Sequence, residues 1–556
     1  MIIGFIKSNC FQDSVSLMII SKKLSGLESV NLVSVMMGTP ANKDLFLSTG
    51  MWHSMFELAT PNDICIAVDV DNEKDAQAAL DEVAEHLDQE LASIASGAKG
   101  KSLPTVRSWT RARQILPEAN LALISVAGEY AAETANKALE YGLNVMLFSD
   151  NVPTEQERQL KLTAQEKGLL VMGPDCGTAY ISGIPLAFAN KMPKGPIGIV
   201  GASGTGIQEV CSQIALLGSG ITHALGLGGR DLSADIGGIS AKSALKILDE
   251  DPETKVIAFV SKPPAASVRE EILACMQELS KPVVAIFLGD KPEQSQIGNV
   301  HLAYTLDQAA KIACQVVQAT EYIESIGGEA LSNKTVRGLY TGGTLAAESA
   351  MLVAEQFGLQ VSATHPNGEM LNDQGHLIID LGDDAYTIGR PHPMIDPSTR
   401  SDQILALKDQ AFGVLLLDVV LGFGGHAEPA QAVVEAVTEL RELRDAPFAV
   451  VATVTGTHDD PQSRSEQVAV LEAANIKVVS TVPEAVALSA ILLSCNPTPP
   501  AQGEAHYLLQ KPQIINIGLS GFADDLLSCD AQAIHYRWAP VAGGNAHLAE
   551  LLNKLS

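Results

Sequence analysis

The chain has 556 residues, enough for about three or four domains. It is 46% apolar but only 4% aromatic, a composition that suits layered α/β packing of small aliphatic side chains. Its net charge of −28, with a pI near 4.8, argues against a nucleic-acid partner, because such affinity comes mainly from Lys and Arg neutralising phosphates.

Short β-rich apolar runs at 2–6, 32–36 and 64–68 read as strands, and the spacing at 14–24 and 76–87 predicts helices. Residues 96–102, rich in Gly, Ser and Lys, read as a surface linker. Strands follow at 121–126, 145–148 and 169–172, with helices at 131–140 and 155–167. This is a βαβαβ pattern, hence a parallel sheet with right-handed crossovers. From about Lys194 a second style begins and occurs twice. The first copy runs from strand 197–200 through the turn Gly201-Ala202-Ser203-Gly204-Thr205-Gly206 and helix 207–217 to Gly226-Leu227-Gly228-Gly229. It continues through strand 256–260, the loop Ser261-Lys262-Pro263-Pro264 and strand 283–288. The second copy starts at 338–344, with Thr341-Gly342-Gly343 before a helix. It continues through strand 414–421, the turn Gly422-Phe423-Gly424-Gly425-His426, helix 429–440 and strand 449–454. An internal duplication of a doubly wound domain is expected. Residues 496–512 are Pro-rich. A strand–helix–strand–helix tail follows, with Gly543-Gly544-Asn545 before its last helix; it is too small to bury its own core and is expected to pack on another domain or a partner.

The fold expected is α/β. A Rossmann-like domain (1–192) precedes two flavodoxin-like, doubly wound parallel-sheet domains (193–325 and 334–495), a linker (496–511) and a small C-terminal appendage (512–556). No run of 18 apolar residues is present, since 414–421 is interrupted by Asp418, and the first ten residues are too weakly apolar for a signal peptide. The eight cysteines lie far apart, with no C-x-x-C and no histidine at metal spacing. A reduced cytoplasmic protein with neither metal nor membrane partner is expected. Cys176, after Gly173-Pro174-Asp175, is the cysteine to follow.

A glycine turn between a buried strand and a helix aims free N–H groups at one point and makes an anion site out of backbone. Ser203, Gly204, Thr205 and Gly206 form one candidate phosphate site, Gly424 and Gly425 a second, and Thr341, Gly342 and Gly343 a third. No lysine follows the first turn at the spacing of a nucleotide P-loop. A plain tight turn is the alternative at each. Two such helix starts, one in each half, could grip one phosphate between them. Arg390 offers a planar fork for a carboxylate or phosphate, and His392 is held between two prolines in Arg390-Pro391-His392-Pro393. His426 could donate to an anion or move a proton, and Arg230 could line the same crevice. Each could also be an ordinary surface or capping residue. His301 reads as a half-buried histidine. Pro397-Ser398-Thr399-Arg400 has the order of a carbamoyltransferase phosphate turn, but four common residues in another context read as coincidence.

At these residues the chain resembles succinyl-CoA synthetase. Residues 121–318 are similar to its alpha subunit, through Gly173-Pro174-Asp175-Cys176-Gly177, the Ser-Gly-Thr turn, the glycines at 226–229, Asp251-Pro252-Glu253-Thr254 and Lys281-Pro282-Val283-Val284. Residues 338–487 are similar to the carboxy-terminal domain of its beta subunit, with Phe423-Gly424-Gly425 as a helix-start turn. More closely, the whole chain resembles the FdrA family of acyl-CoA-synthetase-like proteins, through the stretches 10–18, 389–397 and 538–545. That resemblance implies a component of oxamate carbamoyltransferase, acting with companion subunits on oxalurate, oxamate, phosphate and carbamoyl phosphate in allantoin breakdown. Phosphate would sit between the paired turns, Arg390 or Arg230 would bind the oxamate carboxylate, and His392 or His426 would move a proton. The chain departs from the synthetase in three places. Ile6-Lys7-Ser8-Asn9-Cys10-Phe11 replaces the glycine-rich CoA turn, the Gly-His-Ala-Gly run of the phosphorylated histidine is not kept, and no ATP-grasp region is recognisable. CoA is therefore an alternative ligand, which implies an acyl-CoA ligase subunit or a CoA-binding regulator. A non-catalytic scaffold is a third reading.

Overall fold

The computed structural model describes residues 1–540 apart from 9, 11, 13, 62, 73–75, 97–102, 362–363 and 496–503. Phe11 and Asp13, the linker at 97–102, residues 496–503 of the Pro-rich linker, Gly543-Gly544-Asn545 and the last helix lie outside the described residues.

The first unit contains β1 (Ile2–Lys7), α1 (Ser14–Leu24), β2 (Leu32–Met37), α2 (Pro40–Ser48), β3 (Ile64–Asp69) and α3 (Ala76–Ser96). Its sheet has the order β1-β3-β2, with β3 antiparallel to both neighbours. The period of two in β3 sends Ile64, Ile66 and Val68 toward α1 and α3, and Cys65 and Ala67 toward Phe46 and Phe56 on the other face. The Rossmann-like domain expected over 1–192 is therefore two units. Hydrophobic period locates strands of this kind but does not encode their direction.

The second unit is built from β4 (Thr105–Val106), α4 (Trp109–Ile115), β5 (Leu121–Ile124), α5 (Gly128–Glu140), β6 (Asn144–Leu147), α6 (Thr154–Glu166) and β7 (Val171–Met172). Two strands from the far end of the chain, Gln513–Ile517 and Gln532–Tyr536, insert in parallel between β4 and β5. Asn120 Oδ1 accepts from the Gln513 N–H at 2.8 Å, and Ser125 Oγ accepts from the Leu519 N–H at 2.8 Å, fixing the register. Over its described part, the expected appendage is thus the inside of this sheet. Ile514, Ile515 and Ile517 are fully buried there, a burial that strands this short could not supply for themselves.

The third unit holds β8 (Thr178–Ile181), β9 (Ile184–Ala187), β10 (Lys194–Ala202), α7 (Gly204–Leu216), β11 (Ile221–Gly226), α8 (Ile239–Glu250), β12 (Val256–Ser261), α9 (Ala266–Gln277), β13 (Val283–Phe287), β14 (Gln296–Ile297), β15 (Val300–Ala303) and α10 (Leu306–Ser325). Its parallel strands run β11-β10-β12-β13-β15, the doubly wound order 2-1-3-4-5. The fourth holds β16 (Val336–Tyr340), α11 (Gly343–Phe357), β17 (Glu369–Asp373), β18 (His376–Asp380), α12 (Asp384–Thr387), α13 (Ser398–Leu405), β19 (Val414–Val420), α14 (Pro429–Leu443), β20 (Ala449–Thr455), α15 (Arg464–Ala473), β21 (Lys477–Val479) and α16 (Val482–Ser494). Its parallel strands run β18-β16-β19-β20-β21, the same 2-1-3-4-5 order. The duplication read from the sequence is matched strand for strand in these two units. They share one apolar core, in which Ile207 and Val210 of α7 and Ala313 and Val317 of α10 join Ala350 of α11 and Leu488 of α16. Alanines on α10 let the helices approach closely. No helix among the described residues is long and apolar enough to cross a membrane.

Candidate functional site

In a 2-1-3-4-5 sheet the helices after the first and third strands leave on opposite faces, so a crevice opens at the carboxyl ends between those strands. In the third unit those strands are β10 and β12. Ser203 is the N-cap of α7, and its Oγ accepts from the Gly206 N–H at 3.2 Å. The N–H groups of Gly204 and Thr205 have no acceptor among the described residues and face a cleft of about 230 Å³. The cleft is also lined by Asp175, Thr178, Gly228, Gly229 and Lys262. Glycine is required at its walls. A Cβ on Gly226 would come 2.5 Å from Cys176 Sγ, and Gly228, at φ +82°, has no space for one beside the Pro174 carbonyl. A second cleft of about 330 Å³ adjoins the first and shares Ala202, Gly229 and Lys262 with it. Its other walls come from Leu232–Ala234 and Pro263–Ala265.

Sequence reasoning passed over Lys262, although the buried run ending at Ser261, followed by Lys-Pro-Pro, marks the loop after a third strand. Lys262 is exposed, lines both clefts and makes no ion pair with another described residue.

Arg230 does not line either cleft. Its Nη2 pairs with Glu157 Oε2 at 2.8 Å and donates to the Val152 carbonyl at 2.7 Å, tying this loop to the second unit. Below it, buried Lys161 bridges Glu157 Oε1 at 2.9 Å and Asp231 Oδ1 at 2.7 Å, and donates to the Leu227 carbonyl at 3.3 Å. Asp231 in turn accepts from the Ser240 and Ala241 N–H groups at the start of α8. Arg230 is a strut for the cleft wall rather than a ligand in it. Cys176 is also structural: it is 1% exposed, and burial pushes its thiol up to about 12. Burial likewise holds His301 well below the usual imidazole range, at about 4.

In the fourth unit the corresponding turn, Thr341-Gly342-Gly343, opens α11 directly after the first strand, but the protein's own carboxylate fills it. Asp418 Oδ1 accepts from the Thr341 N–H at 2.8 Å and its Oδ2 from the Gly342 N–H at 2.8 Å, and the Thr341 hydroxyl lies 3.1 Å from both oxygens. Arg400 Nη1, from α13, donates to the Asp418 carbonyl at 2.6 Å and lies 3.6 Å from Oδ1. Burial raises the Asp418 carboxyl, against lowering by Arg400 and by the two N–H groups. Gly343 meets a second carboxylate, since its Cβ would stand 2.6 Å from Asp380 Oδ2. The N–H groups of Thr341 and Gly342 expected to hold phosphate are therefore taken internally, and a carboxylate stands beside Gly343. With the N-caps Ser203 and Gly342 aligned, Val260 on β12 stands where Asp418 stands on β19, and this leaves the start of α7 open.

The Gly422–His426 turn follows the third strand of its unit, so its counterpart is the Lys262 loop and not the Ser203 turn. It does not open a helix. Gln462 holds the Gly422 N–H and carbonyl at 3.0 and 2.9 Å, α14 begins only at Pro429, and the Ala430 N–H is taken by Gln467 Oε1 at 3.0 Å. Gly424 and Gly425 thus have no helix N-terminus behind them. His426 Nδ1 accepts from the Glu428 N–H at 3.2 Å, a capping bond. His392 Nδ1 accepts from the Met394 N–H at 3.2 Å, and its Nε2 borders Gly382 beside Asp380. Arg390 is largely exposed, 3.9 Å from Asp402. None of Arg390, His392 and His426 lines the cleft at Ser203, whose walls all come from residues 175–262.

Two fused doubly wound units with an open glycine turn at the first switch point define an acyl-CoA-synthetase-like protein. Residues 339–492 match the CoA-ligase family model, 193–289 a CoA binding domain, and 1–103 the AllF heavy metal-associated domain. The chain is 38% identical over 499 residues to protein YahF of Escherichia coli K12, covering 86% of this chain and 95% of that one, and it belongs to this YahF-like, FdrA-type family. It is 23% identical over 205 residues to the ADP-forming succinate–CoA ligase subunit alpha 1 of Archaeoglobus fulgidus (36% of this chain, 69% of that one). It is 27% identical over 208 residues to the malate–CoA ligase subunit alpha of Methylorubrum extorquens (35% and 68%). In the first unit Cys65 is fully buried with its thiol pushed up to about 11, and among the described residues no group of three metal-ligating side chains occurs.

Proposed function

We propose that this chain is a subunit of an oxamate carbamoyltransferase that interconverts oxalurate plus phosphate and oxamate plus carbamoyl phosphate in allantoin (purine) degradation, together with companion subunits. The observation that carries the reading is the α7 start: it is open, sits in a cleft of small-ligand size and has no internal carboxylate, unlike its α11 counterpart. Membership of the FdrA-type family and the AllF match at residues 1–103 support it.

The N–H groups of Gly204 and Thr205, with the Thr205 hydroxyl, would hold hydrogen phosphate beside the carbamoyl carbon, making its attack effectively intramolecular. A phosphate oxygen bonds to that carbon, and the bond from carbon to the oxamate nitrogen breaks. The proton of hydrogen phosphate ends on that nitrogen, giving carbamoyl phosphate and oxamate. Asp175, the carboxylate among the residues lining the cleft, would relay it. The test is phosphate-dependent loss of oxalurate, with carbamoyl phosphate formed, by the chain plus its companions. Thr205→Glu, which the first turn of a helix tolerates, sets a negative charge in the cleft and should abolish turnover. Full activity would overturn the assignment.

The matches to the CoA binding and CoA-ligase models favour a second reading, an acyl-CoA ligase subunit in which the same cleft receives a CoA phosphate. Calorimetry decides: heat on adding CoA, competed by phosphate, supports it, and no heat at millimolar CoA removes it.

A further inference from the structure

We infer that the two adjoining clefts are halves of one divided site, with Lys262 as the cation shared between a phosphate-type oxyanion at α7 and a small carboxylate at α9. Three independent features of the β10–β12 switch point support this.

The first is position. Lys262 directly follows β12, the third strand, and lines both clefts; it is the one cation among the residues lining them. The chain as a whole is strongly acidic, so an anionic substrate needs local positive charge, and an unpaired lysine at a switch point provides it. The second is the second cleft's own helix start. α9 spans 12 residues, its N-cap is Ala265, and no side chain caps it. Ala265, that N-cap, lines the second cleft with Pro263 and Pro264, so α9 starts at the cleft wall, across the sheet from the α7 start. Each cleft therefore lies at one helix start, that of α7 capped only at Gly206 and that of α9 not capped by a side chain, and Lys262 lines both clefts. The third is Ser261. It pairs in register with Ala202, a wall of both clefts, so its side chain leaves the same face of the sheet. The Ser261 side chain is fully buried, and its hydroxyl has no hydrogen-bond partner. An unpaired buried hydroxyl is costly, and this one lies directly before Lys262, behind the wall that Ala202 forms rather than in the lining of either cleft.

The apolar part of the second cleft, from Leu232, Ala234 and the two prolines, suits the flat body of a short acid carried by its carboxylate. On the carbamoyl-transfer reading, that acid is oxamate. The inference rests on that reading for the ligand's name only; the shared cation is a claim about binding and does not depend on turnover.

The experiment is calorimetry on the full chain, with inorganic phosphate alone, oxamate alone, and oxamate in the presence of phosphate. Lys262→Met should weaken phosphate and oxamate by about tenfold or more each, and Lys262→Arg should restore part of both. Lys262 is exposed and makes no ion pair with another described residue, so the variants should unfold as the wild type does. Loss of only one affinity, or of neither, overturns the shared cation, as does a wild type that binds neither anion. Oxamate displaced by CoA but not by phosphate overturns the carboxylate assignment of the second cleft. If both anions bind through Lys262 but the chain with its companions forms no carbamoyl phosphate, carbamoyl transfer fails and the divided site stands.

Discussion

Asp418→Asn should destabilise the fourth unit by about 3–5 kcal/mol, the range for breaking a buried charge pair by removing one partner. Asp418 is 0% exposed and Arg400 is 3% exposed, so neither charge has water to fall back on. Asparagine keeps one oxygen for the Thr341 N–H at 2.8 Å but presents an NH₂ to the Gly342 N–H, where Oδ2 now accepts at 2.8 Å. That donor-to-donor contact leaves a buried N–H unpaired, by itself about 1–3 kcal/mol. Arg400 keeps only the Asp418 carbonyl at 2.6 Å. A chain with several units has no single unfolding free energy, so the assay is native-state hydrogen exchange, read on peptides from β16, α11 and β19. Adding Arg400→Met to the asparagine variant should cost little more than either change alone, because the pair is already broken. Protection within about 0.5 kcal/mol of wild type would refute the claim that Asp418 fills this turn.

Lys161→Met leaves Glu157 and Asp231 buried without their shared cation and should lower protection of the Gly226–Asp231 loop by about 3–5 kcal/mol, again by hydrogen exchange. Cys176, whose thiol burial raises to about 12, should resist iodoacetamide at pH 8 in the folded protein and react only on unfolding; fast alkylation in the native state would restore it as a candidate nucleophile. His301 has a folded value of about 4 against 6.5 unfolded, so the unfolded chain binds the proton first. Its stabilising contribution is full above about pH 6.5 and is lost as the pH falls toward 4, at no more than about 1.4 kcal/mol per pH unit. His301→Gln should flatten that slope, and an unchanged slope would remove His301 from the account.

What the sequence disclosed depended on how local the cause was. The β10 and β19 strands were legible because buried parallel strands read as unbroken apolar runs. The α7 start was legible because Ser203 caps it, and the α14 start because Pro429 already lacks the N–H a first helical residue leaves unused. Features made by residues far apart were not legible. Gln513–Ile517 pairs with β5 at a separation of 393 residues, and nothing local distinguishes an inner strand from an appendage. Asp418 was visible as a charge interrupting an apolar run, yet only the register of β16 beside β19 puts it under the Thr341 turn.

That register also changes what the duplication means. Matching turns by glycine content pairs Ser203 with Gly422, whereas matching them by strand order pairs Ser203 with Gly342 and Lys262 with the Gly422 loop. On the second pairing the two units have the same frame and opposite contents. In the fourth, Asp418 and Arg400 neutralise each other at the switch point, and Gln462 and Gln467 close the loops around it. In the third, Val260 offers no acceptor to the Gly204 and Thr205 N–H groups, and Lys262, which makes no ion pair with another described residue, lines both clefts. An internal carboxylate stabilises the turn it fills and excludes an external anion from it, so the two uses compete at any one switch point. On the proposed reading the α7 start is therefore open to an anionic ligand, whereas in the fourth unit the Asp418 carboxylate occupies the equivalent place.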